Sequence, residues 1–120
     1  MILGRFYLKR TQDRNLIGQF SNQAMNENTT ENAIFTGNGR IDDDFVGNYD
    51  STWVDNGEGQ RTSTLEIRLI PNTQLYRLTW TNANESIEFH GEGFVIDNML
   101  IGDYRDLEIQ NLIGSRNLRQ

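Results

Sequence analysis

Cysteine is absent from this 120-residue chain, histidine occurs once, at His90, and proline once, at Pro71. Without thiols there is no disulfide framework, no thiol nucleophile and no thiolate metal site. With a single imidazole, a zinc cage of several histidines is excluded too. Long apolar runs are equally missing. Arg5, Lys9 and Arg10 interrupt the apolar start before a signal-peptide core can form, and nothing approaches the roughly 18 uninterrupted apolar residues of a membrane-spanning helix. The expected location is therefore the cytoplasm, with no signal peptide in this chain. Positive charge is the scarcer sign: 11 Lys plus Arg stand against 17 Asp plus Glu, a net charge of −6. No local basic patch offsets it, so neither nucleic acid nor an anionic membrane surface is expected as a partner. The patterns Asn28-Thr29-Thr30 and Asn84-Glu85-Ser86 match a glycosylation site, as short polar stretches of an Asn-rich chain do by chance.

What the chain does have is punctuation. Gly and Asn recur at short intervals and cut it into pieces of strand length. Within the pieces apolar residues alternate with polar ones: Leu65, Ile67 and Leu69; Tyr76, Leu78 and Trp80; Phe45, Gly47, Tyr49 and Trp53. Period two means half-buried strands. No apolar period of 3.6 competes with it over a useful length. The stretch 22–32 is almost wholly polar and reads as a loop or a short turn. At Ile70-Pro71-Asn72-Thr73 the proline sets the backbone of the second position of a type I turn. Polar joints at 42–44, 55–59, 82–85 and 97–98 divide the rest. The reading gives strands near 2–9, 15–21, 33–41, 45–53, 61–70, 74–81, 86–95 and 99–105, with a ninth at 107–114. The expected fold is all-β: one domain over residues 1–120, an antiparallel up-and-down meander of about eight strands closing into a small barrel. A two-sheet sandwich is its nearest rival.

An internal repeat supports closure. Glu31-Asn-Ala-Ile-Phe35-Thr-Gly37-Asn-Gly39 aligns without a gap with Glu85-Ser-Ile-Glu-Phe89-His-Gly91-Glu-Gly93. Past the turn, Phe45-Val46-Gly47-Asn48-Tyr49 answers Leu100-Ile101-Gly102-Asp103-Tyr104, and Leu16-Ile17-Gly18-Gln19-Phe20 has the same shape. A glycine two positions from a ring shares its face, so the ring covers the gap while the missing side chain lets the sheet bend.

The meander, the Gly-x-Tyr and Gly-x-Phe strand ends and the rings at alternate positions together resemble the calycin barrels, the group of lipocalins, fatty-acid-binding proteins and avidins. The likeness covers residues 2 to 106, with Gly4-Arg5-Phe6 standing where lipocalins carry Gly-x-Trp. The run Tyr76-Arg-Leu-Thr-Trp80, Phe89-His-Gly-Glu-Gly93, Leu100-Ile-Gly-Asp-Tyr104 is also similar to a pattern of small uncharacterised bacterial proteins. The resemblance implies the barrel and leaves the ligand open.

Chemistry-bearing constellations are few. Glu88, His90 and Glu92 alternate with Ile87, Phe89 and Gly91, which sets them in a row on one face. Same-face neighbours are about 7 Å apart, wide for sharing one ion, and a solvated outer face explains the row as well. Asp42, Asp43 and Asp44 lack the glycine and distal glutamate of a calcium loop and read as turn residues. Asp103 should point away from Tyr104, which argues against pairing it with Asp50 for acid–base work. None of the serines sits in a nucleophile elbow, and the glycine pairs 37/39 and 91/93 precede no helix that would make a phosphate loop. No catalytic residue, metal site or cofactor is therefore expected.

The aromatic set remains. Phe20, Phe35, Tyr49, Trp53, Tyr76, Trp80, Phe89 and Tyr104 should share the inward face, and so many rings favour a filled interior, with room for at most one small ligand. The expected function is a non-enzymatic binding module for a small apolar or aromatic ligand in the barrel mouth, with Tyr49, Trp53, Tyr76, Trp80 and Tyr104 as ligand-binding residues. The competing reading is a solid barrel acting through its outside as an oligomerising, inhibitor or immunity-type protein, with a second copy or a basic protein as partner. Its outward apolar residues would be Leu3, Tyr7, Ile17, Val46, Ile70, Leu75, Met99, Ile101 and Leu112. A metal-dependent enzyme is the least favoured class.

Overall fold

Alternation along each strand, with one face apolar or glycine, produces a sheet that can bury only that face, and this sheet buries it by rolling up. The computed structural model describes residues 1–37, 45–55 and 59–117. Eight strands follow one another: β1 (Leu3–Arg10), β2 (Leu16–Asn22), β3 (Thr29–Phe35), β4 (Gly47–Asp55), β5 (Gly59–Leu69), β6 (Tyr76–Thr81), β7 (Ile87–Ile96) and β8 (Met99–Asp106). Each is antiparallel to the next, and β8 pairs back onto β1, so the barrel is closed. Among the described residues the remaining element is α1 (Leu107–Asn117), and no helix is long and apolar enough to cross a membrane.

Closure depends on small residues opposite large ones. Tyr104 of β8 stands in register with Gly4 of β1 on one side and Gly91 of β7 on the other. A Cβ on Gly4 would lie 2.4 Å from the Tyr104 ring and equally close to the Ser21 carbonyl oxygen. The Tyr104 ring therefore covers the glycine of the neighbouring β1, and the Trp80 ring of β6 lies over Gly91, rather than a ring covering a glycine two residues away on its own strand. The sequence repeat does not become a repeated unit either: Gly91 and Gly93 lie within β7, whereas Gly37 follows the end of β3 at φ +85°, and Gly39 lies outside the described residues.

Turn chemistry fixes the register at the joints. Asp97 and Asn98 both have positive φ, 51° and 65°, and join Ile96 to its partner Met99 as a two-residue hairpin of the I′ kind. Asn72 has φ 64°, which excludes the expected type I turn and fits type II, where proline precedes a positive-φ residue. The expected turn at Asp42, Asp43 and Asp44 lies outside the described residues.

Two expectations change. The third strand begins at Thr29, not at 33, because its inward positions are Glu31, Ala33 and Phe35 while Ile34 faces out; the apolar pattern is inverted. The expected ninth strand at 107–114 is helical. Leu107-Glu108-Ile109-Gln110 alternates like a strand, but a closed barrel offers no edge for another strand to pair with. The chain instead starts a helix at Asp106, whose Oδ1 accepts the Ile109 N–H at 3.2 Å as an N-cap. On the outside of the barrel, Arg105 holds α1 by donating from Nε to Gln110 Oε1 at 2.7 Å.

The interior divides into two halves. At the end that carries the β1–β2 and β5–β6 turns, Phe45 and Tyr49 are buried and Tyr49 donates its hydroxyl to the Phe45 carbonyl at 2.8 Å. Tyr76 packs on Phe45 and Phe35 on Tyr49, with ring centroids 6.2 and 5.6 Å apart. Leu8, Leu16, Leu65, Ile67, Leu78 and Leu100 complete a buried apolar layer. That half is solid. The other half is not.

Candidate functional site: a cavity with a buried carboxyl group

At the end of the barrel where β2 gives way to β3, a cavity of about 620 Å³ opens above the apolar layer. This volume suits one small organic molecule. Its walls are rings. Tyr104 is the hub, with Phe89 at 5.5 Å and 90°, Phe20 at 5.9 Å and 87°, and Trp80 at 6.1 Å. Phe20 in turn meets Trp53 edge to face at 5.9 Å. The half-exposed side of this cluster faces the opening, where Ala24, Met25, Asn26 and Glu27 of the β2–β3 connection reach over it.

That connection is anchored from below. Asn22, the last residue of β2, accepts the Ala24 N–H on Oδ1 at 2.9 Å and donates from Nδ2 to the Tyr104 hydroxyl at 2.8 Å. One side chain thus ties the overhanging segment to the ring hub. Burial pushes the Tyr104 phenol up, the Asn22 hydrogen bond pulls it down, and the nearby Glu31 carboxyl adds to the rise.

The floor carries an ionisable group. Glu31 points inward from β3 and is 2% exposed. Ser51 Oγ of β4 and Trp80 Nε1 of β6 both donate to the same carboxyl oxygen, Oε2, the latter at 2.8 Å. No described donor reaches Oε1, and Glu31 is part of the cavity lining. Burial raises its pKa, and the hydrogen bonds from Ser51 and Trp80 only partly oppose this. At the rim, Arg61 of β5 shares its guanidinium between Glu88, 2.8 Å away, and Asp55, 3.4 Å away.

Of the five residues expected from the sequence to bind a ligand, Trp53, Trp80 and Tyr104 line the cavity. Tyr49 and Tyr76 share their inward direction but lie in the solid half, against Phe35 and Phe45. Sequence reasoning missed Glu31, Arg61 and Asn22. Their strands' inward phase would have pointed to Arg61, two residues before Ser63 and four before Leu65, but a charged residue at the end of a strand reads as solvated.

The expected outer row of Glu88, His90 and Glu92 is broken. Thr81 pairs with Ile87 while Trp80 pairs with Phe89, so Glu88 is the extra residue of a bulge and reaches Arg61 at the rim. His90 stays on the outer face between Thr79 and Arg105, where burial first and then the charges of Arg105 and Arg77 lower its pKa. Glu92 Oε1 is 3.7 Å from Arg105. Among the described residues no three His, Asp or Glu side chains are grouped to hold a metal ion.

No protein-family model, no curated protein and no solved structure matches this chain.

Proposed function

We propose that the protein is a non-enzymatic binding module that takes a small, largely apolar or aromatic ligand into the open end of a calycin-like barrel. The observation that carries this reading is the asymmetry of the interior: rings and leucines fill one half, while rings surround about 620 Å³ of space in the other. A barrel that needed only a core would close over both ends, since an unfilled volume of this size forfeits packing contacts along its whole lining.

Both tryptophans of the chain, Trp53 and Trp80, line the cavity, so intrinsic fluorescence reports directly on occupancy. Native mass spectrometry of the protein purified from its own host, followed by tryptophan quenching on adding back the released compound, is the decisive experiment. A stoichiometric adduct with saturable quenching is expected. Protein that carries no adduct and shows no saturable response to a panel of apolar aromatic probes overturns the reading.

A second reading, self-association through the outer surface, has one observation in its favour. Phe94, Ile101 and Tyr7 lie side by side across β7, β8 and β1, with Ile96 and Met99 in the next outward row. Of the nine residues expected outside, Leu3, Tyr7, Ile17, Met99 and Ile101 share this β8–β1–β2 side, whereas Val46 is buried. Light scattering over a range of concentrations tests it: a dimer that Phe94→Glu dissociates supports it, and a monomer throughout removes it.

A further inference from the structure

We propose that the ligand is an organic cation, an ammonium or amidinium group carried on an apolar or aromatic body, and that its charged head docks on Oε1 of Glu31. This rests on the binding reading above and specifies what binds.

The first argument is the placement of Glu31. A carboxyl group at the bottom of an aromatic cavity is costly to bury, and the cost is offset only when a cation or enough donors meet it. The barrel supplies two donors, from Ser51 and Trp80, and directs both to Oε2. A glutamine at this position would offer the same acceptor oxygen to the same two donors without a charge. What glutamate adds is a second oxygen with no described donor, at the edge of a cavity, and a negative charge when ionised. Both are what a bound N–H cation uses.

The second argument is the charge of the lining. Among the described lining residues Glu27, Asp55 and Glu31 stand against one cation, Arg61, and Arg61 is already engaged by Asp55 and by Glu88. The cavity is thus acidic within a chain of net charge −6, a field that draws cations in and repels anions. A fatty-acid-like anion would lay its tail against Glu31 and leave its head at a guanidinium held by two carboxylates.

The third argument is the wall. Phe20, Trp53, Phe89 and Tyr104 surround the space over Glu31, and aromatic faces attract a cation while accommodating an apolar body. Carboxylate below and rings around make a site for a charged nitrogen attached to a hydrophobic group.

The test compares three probes of one shape by calorimetry at pH 7.5: 2-(1-naphthyl)ethylammonium, the corresponding neutral alcohol, and 1-naphthylacetate. The amine is expected to bind about tenfold tighter than the alcohol, with the anion weakest, and Glu31→Gln is expected to bring the amine down to the level of the alcohol. The comparison among probes needs only the wild-type chain, so it stands whether or not the variant folds. If the alcohol binds as well as the amine, or if Glu31→Gln keeps the preference, the cation inference is overturned while the cavity remains a binding site. If none of the three binds, the binding reading itself falls and takes this inference with it.

Discussion

Glu31 and Trp80, 49 residues apart in sequence, meet through a hydrogen bond from the indole Nε1–H to the buried carboxyl oxygen Oε2, at 2.8 Å. The contact crosses the barrel interior from β6 to β3 and sets the depth at which the apolar core stops and the cavity begins. It also makes the site a conditional part of the fold, because the carboxyl is expensive to bury and the indole is one of two groups that offset the expense.

Trp80→Phe keeps an aromatic ring but removes the donor and part of the buried indole volume. A loss of about 1–3 kcal/mol is expected from urea unfolding. The loss should be larger above the raised pKa of Glu31 than at pH 4, because a hydrogen bond to a charged carboxylate is stronger than one to a neutral carboxyl. An equal loss at both pH values would mean that Glu31 does not change its charge over this range in the folded state.

The pH dependence of stability follows from the same group. The folded-state pKa of Glu31 is raised above its ordinary value of 4.5, so the folded protein holds this proton more tightly than the unfolded chain. Its contribution is therefore most favourable below about pH 4.5 and declines as pH rises through the raised value. Tyr104 lines the same cavity, and with its phenol pushed up by burial it stays neutral over this range. Thermal unfolding of Glu31→Gln should show a flatter profile and a higher midpoint than wild type at pH 8, by roughly 3–6 °C for each kcal/mol regained. A variant that is less stable than wild type at pH 8 would contradict this.

Gly4→Ala tests the closure of the barrel at Tyr104. The added Cβ would fall 2.4 Å from both the Tyr104 ring and the Ser21 carbonyl oxygen, and backbone cannot give way as a side chain can. A destabilisation of about 1–3 kcal/mol is expected, together with a changed near-ultraviolet circular dichroism spectrum as the ring hub shifts. Unchanged spectrum and stability would show that the approach of β1 to β8 is looser than described.

Asp106 ties the chain start to α1: Oδ2 accepts the Ile2 N–H at 2.7 Å and lies 3.5 Å from the terminal ammonium, while Oδ1 caps the helix. Burial alone would raise its pKa, but the Ile109 and Ile2 hydrogen bonds and the terminal ammonium outweigh it and hold the carboxyl below its ordinary 3.8. The stabilisation is thus present above about pH 3.8 and lost as pH falls through the lower folded value. Asp106→Ala should cost about 1 kcal/mol near neutral pH through the lost cap. Asp106→Asn should cost less, since it keeps an oxygen for Ile109. Denaturant curves at pH 7 and pH 2.5 check both; a deficit that persists undiminished at pH 2.5 would exclude the charge as its source.

The sequence by itself determined most of the strands and their antiparallel meander, because these follow from local rules: alternation over six to eleven residues in 59–69, 76–81 and 87–96, and turn residues such as Asp97-Asn98 that accept positive φ; closure into a barrel rather than a two-sheet sandwich was decided by the pairing of β8 with β1. It also determined that the rings of Phe20, Phe35, Tyr49, Trp53, Tyr76, Trp80, Phe89 and Tyr104 face inward. Only the tertiary structure decided which rings meet which. Tyr49 and Tyr76 joined Phe45 in the solid half, while Trp53, Trp80 and Tyr104 were left around a space. It also decided that Glu31 points inward, since the donors that make this tolerable, Ser51 and Trp80, come from strands 20 and 49 residues further along. No local pattern can announce a buried carboxyl whose partners are that remote. The last segment turned on the same point: residues 107–117 carry a few residues of strand-like alternation, yet the barrel had already paired β8 with β1, and a chain with no free edge beside it satisfies its backbone within itself, as a helix.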